Sequence, residues 1–468
     1  MPPEGADRAA PRAAPGAAGA IGGASLVALW ALVLAGAPPG ALAAGLAVFL
    51  IAEGRRLPAT PRLHLAAGLT AAAGLAVLHP QARPVLSAGL GNAGLLAGLF
   101  TALATLRAAA MTAPIVRRTG AALADRPPGQ SYAALTLGAH VFGVVLSFGV
   151  INLLAPLVLR GRPADSLGPE GRRLLLGVLR GVAAVLFWSP LTLAFAFVST
   201  GVAGVSWPPV LAAGGVLAAV AMAVGAWSER GPRGVSGAGG APGLVRELGP
   251  MAALCGLFVA AVGATAALSG GRLIDAVLVA VPAIAALWLA VQSMREGAPL
   301  GWLAHRAAGF AARDLPDQRG EIVVLCNAAF LGAVAARLAA DTDLAAVLAG
   351  LPPAVAVTIP ALATGVVVLL GLAGANPLLA VALVAAPLTD PAALGLSPEV
   401  VATALIAGWA LSVNVTVAGA SVLMLAGIAG VSPGTMGRRW NGGYALRVYA
   451  LLAPCLIGAE LVLGGGAQ

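Results

Sequence analysis

The stretch SYAALTLGAHVFGVVLSFGVINLLAPLVL, residues 131–159, decides the fold. It contains no Asp, Glu, Lys or Arg, and its middle is broken by Ser147-Phe-Gly-Val-Ile-Asn152, with Pro156 beyond. Arg117, Arg118 and Arg126 precede it, and Arg160 and Arg162 follow. Arginine-rich flanks mark cytoplasmic ends of membrane segments. A segment with both flanks on one side must enter the bilayer and return. This one suits a re-entrant hairpin with short arms at 131–146 and 149–159. One long tilted helix with a kink fits the same residues.

The whole chain supports a membrane setting. Its 468 residues include only 27 basic and 18 acidic ones, 59% are hydrophobic, and 63 are glycine. Mean hydropathy is +0.94. A soluble domain is about 25% charged, so this composition excludes an ordinary soluble enzyme. It also excludes disorder, which needs low hydrophobicity and high charge. The net charge of +9 sits in short clusters between apolar runs and not on one face. It therefore reads as topology signalling, with no nucleic-acid partner and the lipid bilayer as surroundings. All basic residues are arginine, which fits a GC-rich bacterial genome and placement in the bacterial inner membrane. Cys255, Cys326 and Cys455 are widely spaced and read as small core residues, without a disulfide framework or metal spacing.

Uncharged runs map the elements. Forty residues separate Arg12 from Glu53, 48 separate Arg180 from Glu229, 46 separate Asp343 from Asp390, and 38 separate Glu399 from Arg438. A span needs about 20 residues, so the long runs hold paired spans or hairpins. The runs are continuously apolar, without strand-like alternation, which excludes a β-barrel. The fold class is an all-α polytopic membrane protein with about 10–13 transmembrane helices.

Internal echoes divide the chain. Gly201-Val-Ala-Gly-Val-Ser206 recurs as Gly427-Ile-Ala-Gly-Val-Ser432, Phe100 and Arg107 recur as Phe330 and Arg337, and Asn152 matches Asn376. The offsets are 226, 230 and 224. This gives a disordered tail over 1–20, membrane helices over 21–83, a first repeat over 84–227 and a linker over 228–249. An added helix pair follows over 250–293, then an amphipathic connector over 294–320 and a second repeat over 321–464.

Duplicated halves with interrupted helices are the plan of secondary transporters, whose substrates bind where helices break. The second hairpin candidate is 353–388, tipped by Ala375-Asn376-Pro377; a short turn between tilted spans is the other reading. Each hairpin is followed by a broken helix: Trp188-Ser189-Pro190-Leu191-Thr192 in the first half and Ser412-Val-Asn414-Val-Thr416 in the second. Ser147, Asn152, Ser189, Thr192, Asn376, Ser412, Asn414 and Thr416 are the candidate substrate and ion ligands. Helix–helix hydrogen bonding is the structural alternative for the same side chains. His140, inside the first hairpin, is a candidate proton carrier or a satisfied packing residue. Asp275 and Glu399 lie at run ends and read as interfacial, Glu460 as reaching water, and 440–444 as an interfacial aromatic anchor. No nucleophile elbow, phosphate loop or metal cluster is present. No catalytic residue, metal ligand or organic cofactor is expected.

The order of spans, polar-tipped hairpin, broken helix and final span, given twice, resembles the ion transporter superfamily of divalent anion:sodium symporters, citrate transporters and arsenite-type permeases. In the symporter branch each half carries a Ser-Asn-Thr signature. Here Ser412, Asn414 and Thr416 are spaced by valines, and the first half offers only Ser147 and Asn152, then Ser189 and Thr192. The resemblance implies inverted repeats and a mobile transport domain working against a scaffold that often dimerises, hence a homodimer. It also implies a small anionic substrate moved by alternating access with sodium or protons. The competing reading is a membrane enzyme or assembly factor for lipid or polysaccharide, with 295–319 as its loop. A membrane subunit of a larger transport complex is a third.

Overall fold

The computed structural model describes residues 16–124, 131–159, 168–230, 240–270, 273–295, 300–340, 342 and 344–464. Residues 1–15 of the expected tail over 1–20, the charged stretch 160–167 and residues 231–239 of the linker lie outside the described residues. The described residues are helical, without a strand. Ten helices are long and apolar enough to cross a bilayer.

Four N-terminal helices come first: α1 (Ala17–Leu34), α2 (Pro39–Glu53), α3 (Ala59–Leu78) and α4 (Ala82–Thr112). The first repeat continues as α5 (Pro114–Ala124), α6 (Ser131–Leu146), α7 (Gly149–Leu159), α8 (Pro169–Val185), α9 (Leu193–Gly201) and α10 (Trp207–Ser228). Then come α11 (Gly240–Leu268), α12 (Leu273–Arg295) and α13 (Leu300–Gly309). The second repeat is α14 (Arg319–Ala340), α15 (Ile359–Ala373), α16 (Pro377–Ala385), α17 (Pro398–Val415), α18 (Ala420–Ala429) and α19 (Trp440–Leu463). Helix α11 begins inside the stretch expected to be a linker, and α1 begins inside the expected tail.

Two of the expected hairpins form. Ser147 adopts a left-handed φ of 51° between α6 and α7. On α5, Gly120 lies against Leu153 of α7 and Leu123 against Gly138 of α6. Positions one turn apart thus touch both arms, so the arms return side by side. The second hairpin turns at Gly374 (φ 105°), where the Ala375 and Gly374 N–H groups bond the Leu370 and Gly371 carbonyls at 2.9 Å. Only a residue without Cβ takes that conformation without strain. With 9 to 16 residues per arm, each reaches about 14–24 Å at 1.5 Å per residue. Both arms of the first hairpin and α16 are short of the roughly 30 Å hydrocarbon core, so the first hairpin dips in and returns; the stretch Pro353–Ala373 that holds α15 is long enough to cross.

Reading 353–388 as a hairpin, and counting α2 and the broken α8–α9 beside the helices long enough to cross, gives the passes α1, α2, α3, α4, α8–α9, α10, α11, α12, α14, α17–α18 and α19. Arg55, Arg56, Arg62, Arg118, Arg172, Arg173, Arg230, Arg246, Arg295, Arg306, Arg313, Arg319, Arg438 and Arg439 fall at ends on one face by this count. Among the described residues, Arg83 and Arg337 are the arginines at the other face.

Two hydrogen bonds set the direction of α4 against α14, the helices that carry the Phe100/Arg107 and Phe330/Arg337 echo. Arg107, near the end of α4, donates to Gln318 just before α14 at 2.7 Å. Arg337, near the end of α14, donates to Gln81 just before α4 at 3.0 Å. The two helices therefore run antiparallel, and each arginine reaches the residue ahead of the other helix. Equivalent spans crossing in opposite directions are related by a two-fold axis in the membrane plane, as in transporter folds built from inverted repeats.

One apolar core, with Leu26, Phe49, Phe100, Ile322 and Phe330, joins α1, α2, α4 and α14. A second, larger core joins the hairpins, the broken helices and α10–α12. The connector after α13 is only partly a surface feature. Its residues 310–314 form a π-helical turn, and Gly19 and Gly23 of α1 press against the Ala312 and Ala311 carbonyls.

Candidate functional site

The hairpins bring their tips toward the broken helices in a shared register. Gly143 of α6 packs on Val185 of α8, and Gly371 of α15 packs on Ser412 of α17. Ser189 accepts the Leu191 N–H at 3.3 Å, and Thr416 accepts the Ala418 N–H at 3.3 Å. Val185 therefore stands where the second half has Ser412, and Ser189 where it has Thr416. The same register sets Phe187 against Asn414.

The second break is rich in buried oxygen. Helix α17 stops at Val415 and α18 starts at Ala420. Ser412, Asn414, Thr416 and Ser421 are at most 1% exposed. The Thr416 hydroxyl donates to the Ala375 carbonyl at the hairpin tip, 2.7 Å away. The Ser421 hydroxyl donates to the Val413 carbonyl at 3.4 Å. The Asn414 amide nitrogen donates to the Ala410 carbonyl at 3.0 Å, but its Oδ1 has no partner, and neither has the Ser412 hydroxyl. Buried polar atoms are nearly always satisfied, and leaving one unpaired costs about 1–3 kcal/mol. The Asn414 oxygen, near the C-terminal carbonyls of a broken helix, makes an electronegative nook suited to a cation; Ser412, two positions earlier in the same helix, faces another side, against Gly371.

The first break is saturated instead. The Thr192 hydroxyl donates to the Ser189 carbonyl at 2.9 Å and accepts the Phe195 N–H at 3.3 Å, capping α9. The Trp188 indole donates to His140 Nε2 at 3.2 Å. Since Nε2 accepts, the neutral ring carries its proton on Nδ1. That atom is buried without a hydrogen bond, with the Gly181 backbone nearby.

The expected site residues are thus only partly brought together. Ser412, Asn414, Thr416 and the tip carrying Asn376 meet at the second break. Asn376 itself caps α16, accepting the Leu378 N–H at 3.0 Å. Ser189 and Thr192 meet at the first break, with Ser147 at the neighbouring tip. Asn152 is exposed in the first turn of α7 and is not equivalent to Asn376: the left-handed residues Ser147 and Gly374 mark the matching tips. Among the described residues there is no group of three or more His, Cys, Asp or Glu able to hold a metal ion.

Several charged residues sit closer to these elements than their sequence positions suggest. Arg107 of α4 lies beside the first tip, against Gly149. Arg438 donates to the Ala373 carbonyl at the second tip, 3.4 Å away. Arg180 is buried, bonding Asn441 at 2.9 Å and Tyr132 at 3.2 Å. It also pairs with Glu229 at 3.1 Å and stacks 4.3 Å from the Tyr444 ring centre. Asn441 and Tyr444 are therefore internal clamps, whereas Trp440 is half-buried beneath Arg172. Glu460 does not reach water: it is 1% exposed and accepts the Ser397 N–H at 2.8 Å. The apolar sequence around Arg180 gave no hint of this, because its partners come from three other helices. No protein-family model matches the chain, and no curated protein matches its sequence.

Proposed function

We propose that this multi-pass membrane protein is a secondary active transporter, not an enzyme, of the bacterial inner membrane. It moves a small anionic solute by alternating access, coupled to a cation. The arginine-rich face is cytoplasmic on the positive-inside rule. The observation that carries the reading is the buried, unpartnered Asn414 Oδ1 at a helix break beside a hairpin tip. A structural helix–helix contact would have paired it. A sodium ion supplies what it lacks.

The register makes the coupling one-sided. Val185 and Phe187 in the first half offer no side-chain oxygen where Ser412 and Asn414 stand in the second, so the fold supports one such nook. A proton route rests on His140, whose Nε2 meets the Trp188 indole and whose other side faces the Gly181 backbone.

The test uses the full-length protein in detergent. Sodium chloride, against choline chloride at equal ionic strength, raises the melting temperature saturably, because a ligand that binds only the folded state stabilises it. Asn414→Ala weakens the apparent sodium affinity at least tenfold. An equal sodium response in wild type and variant, or none in wild type, removes the nook from the mechanism. Proteoliposomes with an inward sodium gradient then accumulate at least one small carboxylate from a panel, and a sodium ionophore abolishes the accumulation. If flux follows an imposed pH gradient instead and His140→Gln stops it, protons are the coupling ion.

A further inference from the structure

A cavity of about 30 Å³ lies between α4, the first hairpin tip and the start of α9. Of its ten lining residues only Arg107 and Ser147 are polar, and apolar side chains such as Phe100, Leu191 and Leu193 make up the rest. Arg107 comes from a helix packed in the α1–α2–α4–α14 core, while Ser147 and Leu193 belong to the hairpin and broken helix. The cavity thus sits where these two parts of the molecule meet. Its size admits one group as large as a carboxylate or a halide, and not a whole organic solute.

The cavity carries the formal charge of Arg107, with the C-terminal, negative end of α6 at Leu146 on the same tip. The Arg107 guanidinium offers five donors. Among the described residues one of them reaches the neutral Gln318 amide, and no carboxylate pairs with the charge. Helix α7 begins two residues beyond Ser147, and α9 begins at Leu193 behind its Thr192 cap. Both helix starts direct positive dipole ends toward the space. Ser147 holds a left-handed φ of 51°, a strained conformation for a residue with a Cβ. An apolar wall raises the value of each of these interactions by excluding water.

Resting on the transporter reading, we infer that this cavity binds the anionic group of the solute, with Arg107 as its charge partner and Ser147 as a hydroxyl donor. Gln318 holds the guanidinium in place from the side away from the anion. The charge that the broken helices lack is supplied by α4, across the boundary between the two parts. Arg337, the counterpart of Arg107, makes the same type of bond to Gln81 at the other membrane face and does not line this cavity.

The test again uses the full-length protein in detergent, with potassium acetate or potassium bromide compared with the potassium salt of 2-(N-morpholino)ethanesulfonate, whose anionic sulfonate group is larger than a carboxylate. Acetate raises the melting temperature saturably. Arg107→Gln raises the half-saturating concentration at least tenfold, and Ser147→Ala raises it about threefold. Arg337→Gln breaks the matching clamp without touching the cavity and leaves the acetate response unchanged. The sodium response of Arg107→Gln stays intact, which shows that the variant is folded. A response to bromide and not to acetate assigns the site to a free halide in place of a solute carboxylate, and overturns the substrate assignment. No anion response in wild type, or an equal one in Arg107→Gln, overturns the site itself. If the anion response holds while wild type shows no sodium response, the site stands and the sodium coupling fails.

Discussion

At the residue scale, two of the many side-chain differences between the breaks place the unpaired oxygens. Ser412 and Asn414 stand where the register puts Val185 and Phe187, which have no side-chain oxygen. Arg180 is the other decisive residue. Its charge is met by Glu229, Asn441 and Tyr132 and by the Tyr444 ring. It ties α8 of the first repeat to α19 of the second. Arg180→Met leaves the Glu229 charge and the Asn441 and Tyr132 dipoles behind. Breaking a buried pair costs about 3–5 kcal/mol, so the melting temperature in detergent should fall steeply; an unchanged value would sink the structural role. Arg180→Lys restores charge but not the fork, and recovers only part of the loss. The polar residues within apolar runs could be read from the sequence. Their partners were not legible, since Arg180 and Asn441 are 261 positions apart.

At the element scale, a hairpin over 131–159 was legible as one of two readings, because the stretch is short and lies between like-charged flanks. The 131–146 and 149–159 arms coincide with α6 and α7. The breaks were legible through Pro190 and through three small polar residues within five positions. What seals each break was not legible. Gly214 of α10 presses on the Phe187 carbonyl, and Gly437 presses on the Val415 carbonyl. A Cβ at either position collides with backbone that cannot swing aside. Gly437→Ala should therefore pry open the second break and lower sodium affinity several-fold in the melting assay, at an overpacking cost of about 1–3 kcal/mol. Gly427→Ala, with nothing within 4 Å of a new Cβ, should leave both stability and sodium affinity intact. Equal effects from the two substitutions would show that packing at the break does not shape the nook.

At the scale of the whole molecule, inversion has a direct topological consequence. Pro80, ahead of α4, and Asp317, ahead of α14, are both exposed and stand at matching places in the two repeats. With α4 and α14 antiparallel, they lie at opposite faces of the membrane. In a variant lacking the native cysteines, Pro80→Cys should react with an impermeant maleimide from the periplasmic side. Asp317→Cys should react only after permeabilisation; labelling of both from one side overturns the inverted arrangement. The sequence by itself determined that the chain lives in a membrane and that its elements are helices; for 131–159 and 353–388 it offered hairpins beside a kinked helix and a short turn. Those properties follow from composition and local runs. The echo of Phe100 and Arg107 in Phe330 and Arg337 also announced a repeat. Only the tertiary structure decided that α4 and α14 run antiparallel, that Asn152 and Asn376 are not equivalents, and that Arg107 faces a hairpin tip. A similarity along the chain carries no direction in space. Direction comes from contacts between helices far apart in sequence, here the two arginines that each reach across to the start of the other helix.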